Sequence, residues 1–307
     1  MRYLARCAMP NESLRKNNIV RIINDASLKL SQAGAEAARR NAEELLAFTL
    51  GIKRSFLYIF DNDIQKQQLE NFHALIERFI SGCPLQYILG ETEFYGLRVK
   101  TQEGVFIPRP ETEILVEAAI AHYALRNTVG AGRIMDVGTG GGNIAICLTK
   151  LLNNCRIYAT DISQKALELA RANAALNGVS DKIDFFCGDL FEAVNPLRNE
   201  FCERENFDLI VSNPPYIPSG DIAGLAPCVQ REPRLALDGG ADGLDFYRRI
   251  VNEAPGYLNN GGFVVFEMGD GQRGAVGEML SDKGFSDIST VKDYNGIERV
   301  IKAVWTN

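Results

Sequence analysis

Apolar side chains in the first part of the chain recur every three or four residues. This spacing places them on one face of a helix and therefore predicts amphipathic helices. Three such stretches occur, at residues 19–30, 36–50 and 69–80. Asp63 is placed to cap the third helix, and Gly82 follows its end. We therefore expect residues 1–83 to form a small all-helical domain.

Beyond Pro84 the pattern changes to short runs of aromatic and β-branched residues separated by glycines. These runs predict a β-hairpin linker over residues 84–107. From Arg133 onward, short apolar runs alternate with helical patterns. The predicted strands are residues 133–137, 156–160, 183–187, 207–212, 262–267, 285–291 and 297–304. This alternation is typical of an α/β fold with helices on both faces of a mostly parallel sheet, so we expect residues 108–307 to form a second domain.

Composition narrows the class of protein. The chain has 307 residues, of which 46% are hydrophobic, a normal content for a globular protein with a core. Its net charge of −6 gives no general footprint of nucleic-acid binding, so no direct nucleic-acid partner is expected. The seven cysteines include no Cys-x-x-Cys pair, and we expect a reducing compartment, no disulfides and no metal site. No apolar run reaches the length of a membrane span, so we expect a soluble cytoplasmic protein without a membrane partner.

A glycine-rich loop follows the first strand of the second domain. It runs from Asp136 to Asn143 and reads Asp-Val-Gly-Thr-Gly-Gly-Gly-Asn. Glycines let the backbone turn sharply and let a ligand approach closely. The spacing matches neither the Gly-x-Gly-x-x-Gly of a dinucleotide fold nor a P-loop, which needs a Lys-Ser/Thr pair. The loop therefore suits a small nucleoside ligand without phosphates.

Polar residues also stand at the ends of the next three predicted strands. Asp161 ends the second strand, where an acidic residue can bind both ribose hydroxyls of a nucleoside. Asp189 ends the third and could accept a hydrogen bond from an exocyclic adenine amine, with Leu190 and Phe191 against the ring. Asn213 ends the fourth. One such residue alone is usually a helix cap, but four strand ends in register favour a ligand site.

Asn213 also begins the segment Asn213–Tyr216, which reads Asn-Pro-Pro-Tyr. The two prolines stop the strand and hold the backbone, because each fixes φ and lacks a donor. A planar substrate with an NH2 group could lie on the Tyr216 ring and donate to the Asn213 side chain and the Pro214 carbonyl. The alternative is that the segment is only a proline-rich turn that leaves the strand.

Together, the glycine loop, Asp161 and Asn213–Tyr216 resemble the S-adenosylmethionine-dependent methyltransferases that methylate amino groups. These motifs alone fit two substrate classes, which are adenine or cytosine amines in nucleic acid and glutamine amides in protein. Three further segments, at residues 82–90, 106–113 and 232–244, resemble the peptide chain release factor glutamine methyltransferases of the HemK/PrmC family. The resemblance runs from about residue 19 to the end of the chain.

This resemblance implies a Rossmann-like class I methyltransferase fold with a seven-stranded sheet, preceded by the helical domain and the hairpin. It implies S-adenosyl-L-methionine as methyl donor, and the glutamine of the Gly-Gly-Gln motif in peptide chain release factors as acceptor. The helical domain would help to bind the release factor. The implied catalytic residues are Asn213, Pro214 and Tyr216. The implied cofactor-binding residues are Asp136, Gly138, Thr139, Gly140, Gly141, Gly142, Asp161, Ile162, Asp189, Leu190, Phe191 and Asn213. The implied substrate-binding residues are Phe94, Arg109, Pro110, Thr112, Asn213, Pro214, Pro215 and Tyr216.

Three other interpretations stay open. A ribosomal-protein glutamine methyltransferase shares the Asn-Pro-Pro-Tyr motif, although Ile107–Glu113 is more similar to the release-factor branch. An adenine-specific DNA or RNA methyltransferase is disfavoured by the negative net charge and by the lack of a large basic recognition region. A non-enzymatic nucleoside sensor is disfavoured by the intact motif at Asn213.

Overall fold

The chain forms two compact units that divide between Leu89 and Gly90 in a computed structural model. The structure describes residues 12–60, 63–124, 132–195 and 206–306. Residues 1–11 of the predicted helical domain lie outside these ranges. The division falls a few residues after Pro84, where the sequence pattern changes.

The first unit is a helical bundle. Its helices are α1 (Glu12–Gln32), α2 (Ala38–Leu50), α3 (Lys66–Ile80) and α4 (Leu85–Leu89), with a 3-10 turn at Arg54–Ile59. The apolar stripes of these elements form its core, and the fully buried side chains include Ile23, Leu30, Leu45, Leu46, Leu57 and Phe72. The three long helices predicted from apolar spacing are therefore present.

The start of α3 differs from the prediction. Gln65 rather than Asp63 is the N-cap, because the helix begins at Lys66. The Gln65 side chain bonds the backbone of Gln68, and the Gln68 side chain accepts from the Gln65 backbone N–H at 2.9 Å. This reciprocal pair satisfies two amides that the first turn of a helix leaves without partners.

Residues 85–89 form helix α4 and not the first part of the predicted hairpin, so that part of the prediction is wrong. The amides of Tyr87 and Ile88 donate to the Pro84 carbonyl at 3.1 and 3.2 Å. Proline suits the start of a helical turn, where its missing N–H costs no hydrogen bond. The hairpin itself is shorter than predicted, with β1 (Glu91–Phe94) and β2 (Leu97–Lys100) joined by a tight turn.

The second unit is built on a seven-stranded sheet with the order β5-β4-β3-β6-β7-β9-β8. Its strands are β3 (Gly132–Val137), β4 (Cys155–Asp161), β5 (Ile183–Cys187), β6 (Phe207–Ser212), β7 (Leu258–Glu267), β8 (Phe285–Lys292) and β9 (Glu298–Trp305). The first five in this order are parallel, and β9 pairs antiparallel with both of its neighbours. The predicted mostly parallel sheet of seven strands is confirmed.

Helices cover both faces of this sheet. The helices on one face are α5 (Thr112–Ala124), α6 (Asn143–Leu151) and α7 (Gln164–Leu176). Those on the other are α9 (Asp245–Glu253) and α10 (Arg273–Lys283), and a short helix α8 (Pro227–Gln230) lies in the preceding segment. Neighbouring strand residues alternate between the two cores, so that Ile134 packs on one face and Met135 on the other.

The sequence pattern missed α10 because its apolar face is narrow. Only Val276 and Leu280 are buried, and two glycines lower its helix propensity. No helix within the described ranges is long and apolar enough to cross a membrane.

Candidate active site

A cavity of about 350 Å³ lies at the carboxyl ends of β5, β4, β3 and β6, which are neighbours in the sheet. This volume falls in the usual range for small-ligand sites. The loop or turn after each of these strands contributes to the lining. The predicted site residues that line the cavity are Gly138, Thr139, Gly140, Gly141, Asp161, Ile162, Asp189, Leu190, Arg109, Asn213, Pro214, Pro215 and Tyr216. Open α/β sheets bind ligands at this edge.

The glycine loop presents backbone to the cavity. Gly138 and Gly140 have φ of +73° and +56°, a left-handed conformation that side chains other than glycine rarely adopt. A Cβ at either position would meet no atom within 4 Å, so conformation and not crowding by the protein requires glycine there. The amides of Gly138 and Thr139 both donate to the Thr160 carbonyl, at 2.9 and 2.8 Å, which fastens the loop to the end of β4.

Asp136 lies behind this loop and does not line the cavity. Its Oδ2 accepts from the Thr139 hydroxyl at 2.6 Å and from the Ala145 amide at 3.2 Å. No group in the described part of the chain bonds its Oδ1. Burial raises the pKa of Asp136 to about 7, against the opposing effect of these hydrogen bonds. The carboxyl therefore supports the loop and does not reach the ligand space.

Asp161 reaches the cavity from the end of β4. Its Oδ2 accepts from the Gly140 amide and its Oδ1 from the Ser163 amide, both at 2.8 Å. Burial raises its pKa, while these two amides favour the charged form. Each carboxylate oxygen has a second lone pair, so both can still accept from a diol. Ile162 follows with its side chain half exposed and offers an apolar surface beside the carboxylate.

Asp189 and its neighbours occupy the third strand end. The Asp189 carboxylate accepts from Arg249 of α9 at 2.7 Å, and both residues line the cavity. Leu190 has a φ of +47° and also faces the cavity. Phe191, expected against a ligand ring, lies instead in the core, stacked on Tyr257 at 4.5 Å between ring centroids. A 3-10 turn begins at Leu190 and directs the Phe191 side chain inward.

The segment Asn213–Tyr216 is held from several directions. The Asn213 Nδ2 donates to the Thr112 hydroxyl of α5 at 3.1 Å. The Tyr216 backbone carbonyl accepts from the Gln272 side chain at 2.9 Å. The Tyr216 hydroxyl lies 3.5 Å from Oε1 of Glu267. Burial raises the pKa of Tyr216 far above its usual value, so the ring stays neutral.

Close packing of backbone fixes the exit of this segment. Ile217 forms a short parallel bridge with Asp238, in which the Ile217 amide donates to the Leu237 carbonyl at 3.0 Å and the Gly239 amide donates to the Ile217 carbonyl at 2.8 Å. A Cβ on Gly239 would lie 2.8 Å from the Pro215 carbonyl oxygen, and one on Gly243 would lie 2.4 Å from that of Tyr216. Only glycine allows the later segment to approach so closely.

An ion pair closes one side of the cavity. Arg109 pairs with the buried carboxylate of Glu232, which also accepts from the Ile107 amide at 3.0 Å. The Arg109 guanidinium lies 4.9 Å from the centre of the Phe106 ring. The segment that carries Arg109 is therefore tied to the segment that follows Tyr216.

Three predicted substrate residues do not line the cavity. Phe94 is fully buried in the core on the α5 side of the sheet, Pro110 is exposed outside the cavity, and Thr112 is buried behind Asn213. The site also involves residues to which the sequence reasoning assigned no role. Phe106, Phe246 and Arg249 line the cavity, and Glu232, Glu267 and Gln272 support it without lining it. Glu267 could have been predicted from the sequence, because it ends the fifth strand just as the earlier polar residues end theirs.

This fold and site define a methyltransferase domain of the S-adenosylmethionine-dependent class. Two family models match the chain, a PrmC N-terminal domain over residues 21–90 and a methyltransferase small domain over residues 96–224. The N-terminal domain of human METTL16 in complex with SAH has a similar fold, with a TM-score of 0.51 and 17% identity over 69% of this chain and 77% of that one.

Curated relatives give the family. The release factor glutamine methyltransferase of Geobacter sulfurreducens is 44% identical over 89% of this chain and 91% of its own length. That of Thermodesulfovibrio yellowstonii is 41% identical over 85% of this chain and 91% of its own length. The chain belongs to the family of release factor glutamine methyltransferases.

Proposed function

We propose that this enzyme transfers a methyl group from S-adenosylmethionine to the side-chain amide nitrogen of the glutamine in the Gly-Gly-Gln motif of peptide chain release factors. The observation that carries the proposal is the orientation of Asn213 in the cavity. One N–H of its NH2 group donates to Thr112, and its oxygen remains to accept from a substrate amide.

The cavity fits the nucleoside part of the methyl donor. Glycine backbone at Gly138 and Gly140 leaves space where side chains would otherwise project. Asp161 retains acceptor capacity for ribose hydroxyls, and Ile162 and Leu190 offer apolar surface for a base. S-adenosylmethionine supplies a methyl group on a positively charged sulfur when it is bound. The negative charge of Asp161 also suits a cationic ligand.

The acceptor chemistry needs orientation more than a strong base. An amide nitrogen is a poor nucleophile because its lone pair is delocalised into the carbonyl. We assign the Asn213 oxygen and the Pro214 carbonyl to accept the two N–H groups of the substrate amide, with the Tyr216 ring against its plane. Fixed acceptors of this kind orient the nitrogen and stabilise positive charge that develops on it. The proton that the nitrogen then loses can leave to water.

We assign docking of the release factor to the helical unit. Its 3-10 turn carries exposed apolar side chains at Phe56, Tyr58 and Ile59, and Ile59 is 65% exposed. Exposed apolar clusters rimmed by charge are typical of protein interaction surfaces. Residues 1–83 are net basic although the whole chain has a net charge of −6. Because the partner is a translation factor, we place the reaction in the cytoplasm.

The test offers three acceptors in parallel with labelled S-adenosylmethionine: release factor, ribosomal protein and DNA. We expect label only in the release factor, at the glutamine of Gly-Gly-Gln. Asn213→Ala should retain S-adenosylmethionine binding by calorimetry and lose methyl transfer. Label in the ribosomal protein or in DNA, or full turnover by Asn213→Ala, would contradict the proposal.

A further inference from the structure

A buried carboxyl group lies directly behind the proposed acceptor site. Glu267 is the last residue of β7, the strand that pairs with β6. The last residue pair between these two strands joins Ser212 to Phe266, and Asn213 follows directly after Ser212. Glu267 is 1% exposed and does not line the cavity. Its Oε2 has no hydrogen-bond partner within the described ranges. A buried acid with one oxygen left without a hydrogen bond is costly, which suggests that it serves a function.

Thr112 stands between this carboxyl and Asn213. Its hydroxyl accepts from the Asn213 Nδ2 at 3.1 Å, and the residue is 1% exposed. The Thr112 side chain is the strongest influence that favours the ionised form of Glu267 and lowers its pKa. A hydroxyl has one proton to donate, so Thr112 can accept from the amide and donate toward the carboxylate.

The charge on Glu267 then sets the direction of this chain of polar groups. An ionised carboxylate can only accept, which draws the Thr112 proton toward it. The Thr112 oxygen must in turn accept from Asn213, and the Asn213 amide is left with its oxygen toward the cavity. A neutral carboxyl can also donate, and Thr112 is then free to turn its proton toward Asn213. The amide could rotate, and its NH2 group would face the substrate NH2 group, which it cannot bind.

We propose that Thr112 and Glu267 are positioning residues that fix the orientation of the Asn213 amide, so that its oxygen faces the substrate nitrogen. The inference rests on the proposed function and adds to it an explanation of why the Asn213 oxygen points toward the substrate. Tyr216 provides a second link, because its hydroxyl lies 3.5 Å from Oε1 of the same carboxyl group. The same buried acid is thus linked to Tyr216 directly and to Asn213 through Thr112.

The surroundings of Glu267 come from several elements. The charged groups that act on it are Arg299 of β9, which favours the anion, and Glu111 before α5, which opposes it. Arg299 is itself paired with Asp293 at 3.2 Å. The hydroxyl of Tyr247 in α9 donates to the Glu267 backbone carbonyl at 2.7 Å, so this neutral ring fixes the backbone. Burial outweighs these effects and raises the Glu267 pKa to about 7.

The proposal gives a signed pH dependence. Below about pH 7 the Glu267 carboxyl is protonated and no longer fixes the direction of the hydrogen bonds through Thr112 to Asn213. We therefore expect kcat to fall while KM for S-adenosylmethionine stays constant. Losing the preferred direction of one hydrogen bond should lower kcat about tenfold.

The experiment measures kcat and both KM values on release factor from about pH 6 to about pH 8.5, a range that brackets the expected transition. Thr112→Val removes the hydroxyl and keeps the shape, and should lower kcat about tenfold with no remaining step near pH 7. Thr112→Ser keeps the hydroxyl and should restore most of the rate and the step. Glu267→Gln, without a charge at any pH, should stay on the low plateau throughout. Thr290→Val is the matched control, because Thr290 donates to Glu298 at 2.8 Å on β8 and β9, outside the cavity lining.

The outcomes separate this inference from the proposed function. If the unaltered enzyme does not label the release factor, the proposed function fails. If it does, and Thr112→Val matches the Thr290→Val control in rate and pH profile, the positioning role is overturned. A step near pH 7 that persists in Glu267→Gln would overturn it as well. Loss of rate in Thr112→Val that Thr112→Ser does not restore would indicate a packing effect and would equally contradict it.

Discussion

The same carboxyl group predicts how stability depends on pH. Glu267 is nearly inaccessible to water, and burial raises its pKa from 4.5 to about 7. The folded protein therefore holds this proton more tightly than the unfolded chain does. The free energy of unfolding must fall as pH rises from about 4.5 to about 7, and above that range the loss is complete. The ionised state assigned to catalysis is the less stable one.

The magnitude follows from the shift. One pKa unit corresponds to 1.36 kcal/mol, so a rise from 4.5 to about 7 represents about 3 kcal/mol of lost stability at alkaline pH. This is a large share of the 5–15 kcal/mol that stabilises an ordinary domain. Glu267→Gln keeps the shape and carries no charge. It should increase the free energy of unfolding by up to about 3 kcal/mol near pH 8 and change it little near pH 5.

The assay is urea unfolding followed by the fluorescence of the single tryptophan. Trp305 ends β9 in the catalytic unit and lies against Phe285, with 5.3 Å between ring centroids, so its emission reports unfolding of this unit. The buried Asp136 is unchanged in both proteins, so its own pH dependence cancels in the comparison. Glu298→Gln, a more accessible carboxyl on β9, is the control and should give the same change at both pH values. An equal gain from Glu267→Gln at both pH values, or a loss near pH 8, would refute the reasoning.

Two further predictions concern the ligand cavity and the helical unit. Asp161→Asn should weaken S-adenosylmethionine binding by about 1–3 kcal/mol, because a charged acceptor is lost and the Gly140 and Ser163 amides are held less firmly; equal affinities by calorimetry would contradict it. Ile59→Ser, on the exposed turn, should raise KM for intact release factor and leave KM for a short Gly-Gly-Gln peptide unchanged. A parallel rise for both substrates would argue against docking at this surface, and Leu28→Ser, on the exposed face of α1, serves as its control.

The fold could be predicted well because its signals are local. Each strand of the sheet is a short apolar run, and each lies between turn or helix signals that the sequence displays. The same local signals also locate the end of each strand. Parallel strands bring their carboxyl ends to one edge of the sheet, whatever their order in it. That is how Asp161 and Asn213 could be expected near one cavity without knowledge of the strand order.

Side-chain direction could not be predicted so easily. Phe94 and Phe191 were both expected at the site, but both point into the core. A strand alternates its side chains between two faces, and a 3-10 turn changes direction within one residue, so proximity along the chain does not fix which way a ring points. The helix α4 was missed for a related reason, because a run of five apolar and polar residues has no reliable period.

The contacts that support the site were hidden by distance along the chain. Thr112 lies 101 residues before Asn213, and Glu267 lies 51 residues after Tyr216. The pattern around each of these supporting residues gives an ordinary structural explanation, a helix start for one and a strand end for the other. Their contact depends on β7 pairing with β6 and on α5 packing against that part of the sheet.

This arrangement follows from what a weakly nucleophilic amide requires. A side chain that must accept from a substrate N–H gains nothing from flexibility, because an asparagine amide can rotate and offer a donor in place of an acceptor. Two prolines restrain the backbone of the segment but not the rotation of the Asn213 amide itself. A neutral network could fix that rotation only if each member had a single possible role, and hydroxyls have two. An ionised carboxylate has one role only, and its direction passes through Thr112 to the amide. The cost is a buried charge that weakens the fold above about pH 7, where the rate is expected to be highest, so stability and turnover should change in opposite directions when Glu267 loses its charge.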